Sequence, residues 1–336
     1  MYEKLEDKQV KCHLCSHGCT ITDGKRGICG VRENENGTLY SLVYRRLISS
    51  DVDPIEKKPL FHFLPGSRSY SIATLGCNFR CEFCQNWRIS QIEKDGNIWG
   101  EDRSPEWIVE SAERTGCESI AYTYTEPTIF FEYAYDTAKL AHDRGIKNIF
   151  VTNGFMTEEA LRSIEPYLDA ANVDLKSFSD DFYRKICGAR LEPVLNTIKL
   201  MKKRGIWVEV TTLVIPTLND SKDELRQIAE FIKGIGDEIP WHISRFHPNY
   251  KMDYIDPTPS ETIHKAMGIG HDAGLKYIYA GNLPGNRGEN TYCYNCGELL
   301  IGRYLFTVSE NRIKNSKCPK CGVKIDGVGI QSNIQK

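Results

Sequence analysis

Three cysteines at a short, regular spacing are the residues of this chain that most directly indicate chemistry. Cys77, Cys81 and Cys84 follow one another as C-x3-C-x2-C, and the next cysteine after them is Cys117. Thiolates are soft ligands that suit iron–sulfur clusters and zinc. Three local cysteines fit a [4Fe–4S] cluster with one iron left open for a non-protein ligand, because a fourth cysteine would close the site. A zinc knuckle, or thiols without a metal, is the alternative for the motif alone.

The residues around this motif predict a strand followed by a loop. Residues 69–74 are a short, apolar and partly β-branched run, and Gly76 follows it. The three cysteines should therefore lie on the loop after a strand, which is where α/β barrels carry their chemistry.

Strand-like and helical patterns alternate from residue 69 to about residue 280. The predicted strands are 69–74, 119–125, 147–152, 170–175, 206–214, 240–246 and 276–280, and the predicted helices are 104–116, 128–144, 157–167, 180–204, 220–234 and 259–273. This alternation predicts right-handed βαβ units and a parallel sheet. Six or so units over about 210 residues are too few for a closed barrel of roughly 250 residues, so we predict an α/β fold with a partial (β/α)6 barrel of the TIM type.

Five of the predicted strands run into polar segments at their carboxyl ends. These segments are 122–127, 152–155, 174–177, 214–220 and 241–248. Any one of them is typical of a turn or a helix cap. Together, on one edge of the sheet and beside a three-cysteine loop, they predict an active site.

The pattern C-x3-C-x-aromatic-C after a strand, with Phe83 in the aromatic position, resembles the cluster motif of the radical S-adenosylmethionine (SAM) enzymes. The resemblance implies a partial barrel and a [4Fe–4S] cluster whose open iron binds the amino and carboxylate groups of SAM. It implies an external one-electron reductant, of the flavodoxin or ferredoxin type, for the cluster. It further implies that SAM is cleaved to a 5′-deoxyadenosyl radical, which abstracts a hydrogen atom from a substrate.

Residues 70–250 resemble, more narrowly, the pyruvate formate-lyase activating enzymes. Glu126 and Pro127 match the end of a Gly-Gly-Glu-Pro motif in that family, which implies that Glu126 takes the SAM amino group. Tyr124 and Thr125 replace the two glycines, and this departure affects the backbone approach to the methionine part of SAM.

Two further motifs of that family are matched after the next strands. Asn153 lies in a Thr-Asn-Gly motif, and Asp174 and Lys176 lie in an Asp-Leu-Lys motif. The resemblance implies that these residues contact the ribose and carboxylate of SAM. At the fifth strand the family has an arginine where this chain has Thr211, so that carboxylate contact is either absent or made elsewhere, with Lys176 as the candidate.

Over most of its length the chain resembles the radical SAM member of the AmmeMemoRadiSam system. The resemblance is carried by an N-terminal four-cysteine module and by residues 53–59, 76–87 and 122–127. It implies the partner proteins of that system, and it implies no particular substrate.

Residues 1–37 form the predicted N-terminal metal module. Its ligands, at the spacing C-x2-C-x3-C-x9-C, are Cys12, Cys15, Cys19 and Cys29. Four soft ligands so close together predict a closed site that holds either zinc, the default for four cysteines, or a second iron–sulfur cluster. We interpret the interleaved His13 and His17 as solvated or supporting residues rather than ligands.

Residues 38–68 form the predicted connecting segment. Three prolines within 53–65 predict an extended loop there. Its charged residues Glu56, Lys57 and Lys58 are either solvated, or part of a segment that closes one end of the barrel near the cluster.

Residues 69–280 form the predicted barrel, and residues 281–336 form the predicted C-terminal module. The latter has two C-x2-C knuckles at ribbon spacing, made by Cys293, Cys296, Cys318 and Cys321. This pattern predicts a structural zinc ribbon. A role of the ribbon in binding a partner or an RNA is the alternative.

The composition of the 336 residues limits the function further. Lys and Arg total 43 against 45 Asp and Glu, so the net charge of −2 favours neither nucleic acid nor an anionic membrane as a partner. No apolar run approaches the roughly 18–20 residues that span a bilayer, and the charged first residues exclude a secretory signal. We therefore predict a cytoplasmic protein, whose 13 cysteines serve metal binding rather than disulfides.

Three functional hypotheses remain open from the sequence. The first is a radical SAM enzyme that acts on a protein glycine, as the activating enzymes do. The second is a radical SAM enzyme that modifies a small molecule or another protein site with the help of partner proteins, and Tyr124, Thr125 and Thr211 favour it. The third is a non-enzymatic zinc and iron scaffold or an RNA-binding protein, which would need a basic face.

Overall fold

Strands and helices alternate along most of the chain. The structure is a computed structural model and describes residues 1–93 and 96–331. In chain order, the strands are β1 Tyr2–Lys4, β2 Val10–Cys12, β3 Thr20–Ile21, β4 Arg32–Glu35, β5 Thr38–Ser41, β6 Arg46–Leu47, β7 Ser49–Pro54, β8 Arg68–Ala73, β9 Glu101–Asp102, β10 Ser119–Tyr122, β11 Lys147–Thr152, β12 Ala170–Asp174, β13 Trp207–Val214, β14 Trp241–Arg245, β15 Ile278–Gly281, β16 Thr291–Tyr292, β17 Leu299–Tyr304 and β18 Thr307–Asn311. The α-helices are α1 Trp87–Ser90, α2 Pro105–Arg114, α3 Phe131–Asp143, α4 Glu158–Ile164, α5 Asp180–Phe182, α6 Leu191–Lys203, α7 Lys222–Ile235 and α8 Ser260–Asp272.

One sheet of eight strands forms the centre of the described part of the chain, in the order β15-β14-β13-β12-β11-β10-β8-β7. Neighbours from β8 to β15 are parallel, and β7 is antiparallel to β8 at one edge. Among the described residues the two edge strands, β7 and β15, do not pair with each other, so the barrel is open on that side. The parallel strands coincide with the seven that the sequence predicts, which confirms the α/β partial barrel.

The barrel helices cover the outer face of the parallel strands. The strands between them are buried on both faces, which explains why they are short runs of small and β-branched residues with little polar alternation. Four of the described α-helices, α2, α4, α5 and α7, begin at side-chain caps. At α2 the Ser104 hydroxyl accepts the N–H of Trp107 at 3.3 Å, with proline at the first helical position. Within residues 1–93 and 96–331, none of the helices combines the length and the apolar composition that crossing a bilayer requires.

The helix predicted over residues 180–204 is wrong as a single element. The chain instead forms the short helix α5, a π-helical turn over Tyr183–Cys187, and α6 after a break. Gly188 has φ 66°, a left-handed conformation that ends helices and that glycine adopts without a Cβ penalty. The break leaves the Cys187 carbonyl to accept the backbone N–H of Arg80, in the three-cysteine loop, at 2.8 Å.

The extended loop predicted over residues 53–65 is also wrong in its first part. Asp53 and Pro54 belong to β7, which pairs with β8 along its whole length, and a turn of 3-10 helix follows at Ile55–Lys57. The sequence of β7 lacks apolar alternation, so no strand was predicted there. Backbone pairing to β8 and a 2.8 Å hydrogen bond from Ser71 to the Asp53 carboxylate stabilise it, which shows tertiary context outweighing local propensity.

The two four-cysteine segments pack against different parts of the barrel. In the N-terminal segment, Cys15 forms a β-bridge with Met156, and the Thr157 hydroxyl donates to the carbonyl of His13 at 2.6 Å. Both barrel residues follow β11 at the carboxyl edge of the sheet. The C-terminal segment forms the antiparallel sheet β16-β17-β18 and pairs with the connecting segment through a bridge between Phe63 and Val328.

Candidate active site

A cavity of about 450 Å³ opens at the carboxyl edge of the parallel strands. Its walls contain most of the residues that the sequence selects for the cluster and SAM, namely Cys77, Cys81, Cys84, Phe83, Asn153, Asp174 and Lys176. Thr211 and Tyr124 also line it. The described structure therefore brings these residues to one place, although they come from the ends of β8, β10, β11 and β12 and from within β13.

The three-cysteine loop is held by backbone and guanidinium hydrogen bonds. The Arg80 guanidinium donates to the carbonyls of Cys77 at 2.8 Å and Phe79 at 3.1 Å, and it also reaches the carbonyl of Ile28 in the N-terminal segment. The Cys84 sulfur lies 3.1 Å from the Ser90 hydroxyl. The loop is therefore anchored at both ends by hydrogen bonds within the chain.

The surroundings of Cys77 fit an anionic sulfur cluster. The backbone N–H of Phe79 donates to the Cys77 sulfur at 3.4 Å, and the Asn153 amide lies 3.9 Å from the same sulfur. Among the described residues the buried amide nitrogen of Asn78 has no hydrogen-bond partner. Buried donors without acceptors are costly, and cluster sulfurs are tuned by such N–H groups, so this donor set suits a [4Fe–4S] cluster.

Asp174 and Lys176 form an ion pair on the wall of the cavity. The Lys176 ammonium lies 2.9 Å from the Asp174 carboxylate and 5.6 Å from the centre of the Phe83 ring. The Asn219 amide fixes the backbone by donating to the Lys176 carbonyl at 2.7 Å. A carboxylate and an ammonium side by side can bind the amino or hydroxyl groups and the carboxylate of a polar ligand, respectively. The Thr211 hydroxyl, buried and without a partner in the described chain, lines the same cavity.

Glu126 does not line the cavity but lies fully buried behind its wall. One carboxylate oxygen accepts the hydroxyls of Thr128 at 2.6 Å and Thr152 at 2.8 Å, and the other accepts the backbone N–H of Asn153 at 2.8 Å. Burial raises the pKa of Glu126, and these hydrogen bonds partly offset that rise. The carboxylate thus orients the Asn153 segment, and its role toward SAM stays a prediction.

Tyr124 has the backbone conformation that a glycine would adopt easily. Its φ is 63°, which is uncommon for a bulky residue, and the Asn86 amide donates to its carbonyl at 2.8 Å. Glycines stand at this position in the activating-enzyme motif that the sequence resembles. The backbone of the turn before Glu126 is therefore left-handed at Tyr124. This is the conformation that glycine favours, although the residue here is a tyrosine.

A charge cluster beside the cavity is centred on Asp53, a residue that the sequence analysis did not select for the site. The Asp53 carboxylate accepts the ammonium groups of Lys58 at 2.6 Å and Lys57 at 2.8 Å, together with the hydroxyls of Ser71 and Tyr124. Lys58 is 1% exposed, so its interpretation as a solvated loop residue is wrong. The alternative, a segment closing one end of the barrel near the cysteines, agrees with Lys57 and Lys58 lining the cavity.

Burial and the ion pairs around Asp53 shift the pKa values of Lys58 and Asp53. Burial lowers the pKa of Lys58 to about 8, although the Asp53 carboxylate opposes that shift. Burial alone would raise the pKa of Asp53, but the two lysines and Tyr124 hold it well below its usual range. Two ammonium groups against one carboxylate leave a positive charge beside the cavity at neutral pH. The available sequence signal was an aspartate four and five residues before two adjacent lysines.

The C-terminal cysteines converge on one point. All four ligand sulfurs lie within 4.8 Å of one another, and the pairs Cys293–Cys321 and Cys296–Cys318 are 3.6 and 3.7 Å apart. A tetrahedral ion with metal–sulfur bonds of about 2.3 Å separates its sulfurs by about 3.8 Å. The chain therefore has a four-cysteine metal-binding group at this position. The N-terminal cysteines also line a common cavity, but their arrangement is different.

Comparisons with known proteins agree with this geometry. A family model for the Radical SAM superfamily matches residues 71–232. The chain is similar to an uncharacterized protein of Methanocaldococcus jannaschii, with 50% identity over 97% of each chain. It is also similar to the pyruvate formate-lyase 1-activating enzyme of Escherichia coli, with 22% identity over 61% of this chain and 89% of that enzyme.

A solved structure supports the same fold. The described chain is similar to Streptococcus suis SuiB bound to S-adenosylmethionine, with a TM-score of 0.51 and 13% identity, over 68% of this chain and 53% of that one. At this level of identity the similarity concerns the fold alone, and it agrees with the open parallel barrel.

Proposed function

Because the chain belongs to the radical SAM superfamily and is an enzyme, we propose that it cleaves SAM reductively and abstracts a hydrogen atom from a substrate bound at the cavity. Membership of the family agrees with the resemblance found in the sequence and excludes a purely structural scaffold. It also implies that the enzyme uses a [4Fe–4S] cluster and SAM.

One observation carries the proposal. The three motif cysteines, an ion pair and two further polar side chains from successive strand ends meet in a single cavity of about 450 Å³. That volume exceeds what a cluster needs and falls in the range of cavities that bind small ligands. The carboxyl edge of a parallel barrel is the position at which such enzymes bring residues from separate strands together.

We assign the following roles to the residues of this chain. Cys77, Cys81 and Cys84 hold the cluster, and Phe83 packs beside it. A [4Fe–4S] cluster held there would pass an electron from an external reductant to SAM, and this would supply the reductive cleavage of a carbon–sulfur bond of SAM. The chain itself orients the cosubstrate and excludes water from the cavity.

The SAM contacts are proposed from the positions of the polar side chains. Lys176 binds the carboxylate of SAM. In the activating enzymes this role belongs to an arginine at the position of Thr211. Asp174 binds the ribose hydroxyls. Asn153 contacts SAM from the adjacent strand end. The position of Glu126 supports an orienting role, through the 2.8 Å bond to the Asn153 backbone N–H, and its proposed role as acceptor for the amino group rests on the resemblance to the activating-enzyme motif.

We propose a substrate that enters through the open side of the barrel. The tip of the β17–β18 hairpin exposes Tyr304, Leu305 and Phe306, and Phe306 also lines the cavity. Exposed apolar side chains beside a cavity mouth favour contact with a protein surface. A protein substrate also agrees with the similarity to activating enzymes, which generally act on a protein and need an external reductant.

A second candidate is the modification of a site other than a glycine, with the help of partner proteins. The observation that favours it is the Tyr124 side chain, which lies on the cavity wall and donates to Asp53 where the activating enzymes have glycine. This side chain narrows the cavity above Lys58 and adds polar groups to it. A substrate with its own anionic group would suit the positive charge there.

The test is the formation of 5′-deoxyadenosine from SAM by the anaerobic, cluster-loaded protein with dithionite. We expect product from the wild-type chain and at least about a tenfold loss of rate in Lys176→Ala, equivalent to about 1.4 kcal/mol. The matched control is Lys265→Ala, since Lys265 is an exposed helix residue that pairs with Glu261. The proposal fails if the loaded wild-type protein forms no 5′-deoxyadenosine.

A further inference from the structure

We propose that Cys12, Cys15, Cys19 and Cys29 bind a second [4Fe–4S] cluster and not a zinc ion. The inference goes beyond the proposed function and does not depend on it. It rests on the spacing of the sulfurs, on the cavity between them and on one unpartnered donor in the cavity wall.

The four N-terminal sulfurs do not converge as the C-terminal ones do. Within the described residues, the C-terminal group is the one set of three or more cysteine, histidine or carboxylate side chains whose ligand atoms all lie within 4.8 Å of one another. The N-terminal cysteines are free thiols that line one common cavity, so they are neighbours without being a tetrahedral zinc set. A four-iron cubane places an iron at each thiolate and separates the four sulfurs further than one shared ion does.

The cavity between these cysteines is small, and a water-sized sphere fits inside it. Its volume is about 20 Å³. A zinc ion at about 2.3 Å from each sulfur needs no such space, because four sulfurs that close around one ion leave no room for a water molecule between them. The remaining wall is largely apolar, with Leu14, Ile21, Ile28 and Ile129 around the cysteines. Such a shell shields an iron–sulfur cluster from solvent.

Arg32 supplies the independent observation. Its side chain lines the same cavity, is 4% exposed, and pairs with Glu132 through its terminal nitrogen. Its Nε is buried and has no hydrogen-bond partner among the described residues. A buried guanidinium N–H without an acceptor is costly. A cluster bound by four thiolates is an anion with exposed sulfides, and it would give this donor an acceptor.

The proposed second cluster lies against the catalytic loop. A ring nitrogen of His17 is 2.8 Å from the carbonyl oxygen of Asn78, the residue after Cys77. Gly76 has φ 93°, and a Cβ added there would lie 2.9 Å from the carbonyl oxygen of Cys29. The backbones of the two cysteine groups are therefore in contact. On the catalytic side the contacting residues, Gly76 and Asn78, are the neighbours of Cys77, and on the N-terminal side one contacting residue is Cys29 itself.

The experiment measures iron, acid-labile sulfide and zinc per chain in the full-length protein, purified anaerobically and reconstituted. The decisive variant is Cys77→Ala/Cys81→Ala/Cys84→Ala, which leaves the N-terminal segment intact. We expect about eight irons per chain in the wild type and about four in this variant, with a reduced [4Fe–4S] signal in its low-temperature EPR spectrum. Zinc should stay at about one per chain in both proteins.

Two further variants make the result specific. Cys15→Ser/Cys19→Ser should lose about four irons and keep the catalytic cluster, and Cys117→Ser, a lone cysteine outside both groups, should match the wild type. About four irons and two zincs in the wild type, or a triple variant without iron, would overturn the proposal. Neither of these results would change 5′-deoxyadenosine formation by the wild-type protein, so failure here and failure of the proposed function are distinguishable.

Discussion

The two four-cysteine segments have the same ligands and differ in almost everything around them. At the C-terminus the sulfurs lie as close as one tetrahedral ion requires, and Cys321 is exposed. At the N-terminus the sulfurs surround a cavity, and an arginine nitrogen in its wall has no partner in the described part of the chain. The comparison teaches that the number and spacing of cysteines identify a metal site, whereas the distances between sulfurs and the surrounding shell determine which metal group fits.

The two segments also contact the active site in different ways. The N-terminal one touches the loop of Cys77 directly, through His17. The C-terminal one lines the cavity mouth with Phe306 and also supports the connecting segment, since the buried Arg303 donates to the carbonyl of Phe61 at 2.8 Å and lies 3.4 Å from Glu56. Both partners of Arg303 belong to the connecting segment that carries Lys58 into the cavity. The N-terminal segment thus contacts the cysteine loop, whereas the C-terminal segment contacts the opposite part of the cavity wall.

The largest expected effect comes from the catalytic cysteines. Cys81→Ala should abolish 5′-deoxyadenosine formation and lower the iron content by about four per chain, because two thiolates do not hold a cubane that needs three. The C-terminal metal should remain at the wild-type level. Metal analysis and product chromatography check both outcomes, and Cys117→Ser is the control. Retention of full activity would show that these cysteines are not the cluster ligands.

Loss of a cysteine ligand from the C-terminal ribbon should destabilise that segment without changing the iron content. Cys318→Ser removes one of four converging thiolates, and such sites contribute directly to the folding of small modules. We expect loss of the ribbon metal and rapid proteolysis of the segment after β15, while the iron content stays unchanged. Limited proteolysis with metal analysis tests this. Equal loss of iron would contradict the separation of the two segments.

Asp53→Asn should lower the stability of the fold by removing the anionic partner of Lys58. The substitution leaves Lys58, which is 1% exposed, without its anionic partner at 2.6 Å. Removing one partner of a buried pair typically costs about 3–5 kcal/mol of stability. Denaturant unfolding measures it, and Glu261→Gln in an exposed helix pair, where about 0.5 kcal/mol is expected, is the matched control. A cost for Asp53→Asn no larger than the control's would mean that Lys58 is not held as described.

The smallest effect concerns pH at the junction with the ribbon. His62 is fully buried between the Asp326 carbonyl, 2.7 Å from its Nδ1, and the Tyr279 hydroxyl, so the neutral ring donates at one nitrogen and accepts at the other. Burial lowers the pKa of His62 to about 4, below the value of about 6.5 in the unfolded chain. Between those values the unfolded chain binds the extra proton, so stability falls with falling pH by about 1.4 kcal/mol per unit.

Unfolding free energies at pH 7.0 and 5.5, measured for the wild type and His62→Gln, check this expectation. The wild type should lose more stability on acidification than the variant, by about 1.2 kcal/mol. Comparing the two chains removes the contribution of the metal thiolates, which both share. Equal losses in both chains would mean that His62 already titrates normally in the folded state.

The fold was predictable to the extent that its signals are local. Alternating apolar runs and helix caps located the seven parallel strands and most helices, and the spacing of the cysteines located the C-terminal metal-binding group. The break at Gly188 was missed because the run around it has strong helical periodicity. The break frees the Cys187 carbonyl to accept the backbone N–H of Arg80 in the cysteine loop, which is a contact distant in sequence.

The unpredicted part of the site depends on long-range contacts. Asp53 meets Tyr124 across 71 positions of the chain, and no local pattern in the segment around Lys58 reports that contact. Propensity and periodicity describe neighbours in sequence, whereas burial of a charge depends on which distant group compensates it. The position of Glu126 behind the cavity wall was hidden for the same reason.

We propose that SAM reaches an open iron held by Cys77, Cys81 and Cys84. Low-temperature EPR of the anaerobic, dithionite-reduced protein, recorded with and without SAM, is the test. We predict a reduced [4Fe–4S] signal that changes shape when SAM is added, with no such change in Cys81→Ala. A wild-type spectrum that does not respond to SAM, in a protein with its full iron content, would contradict the account.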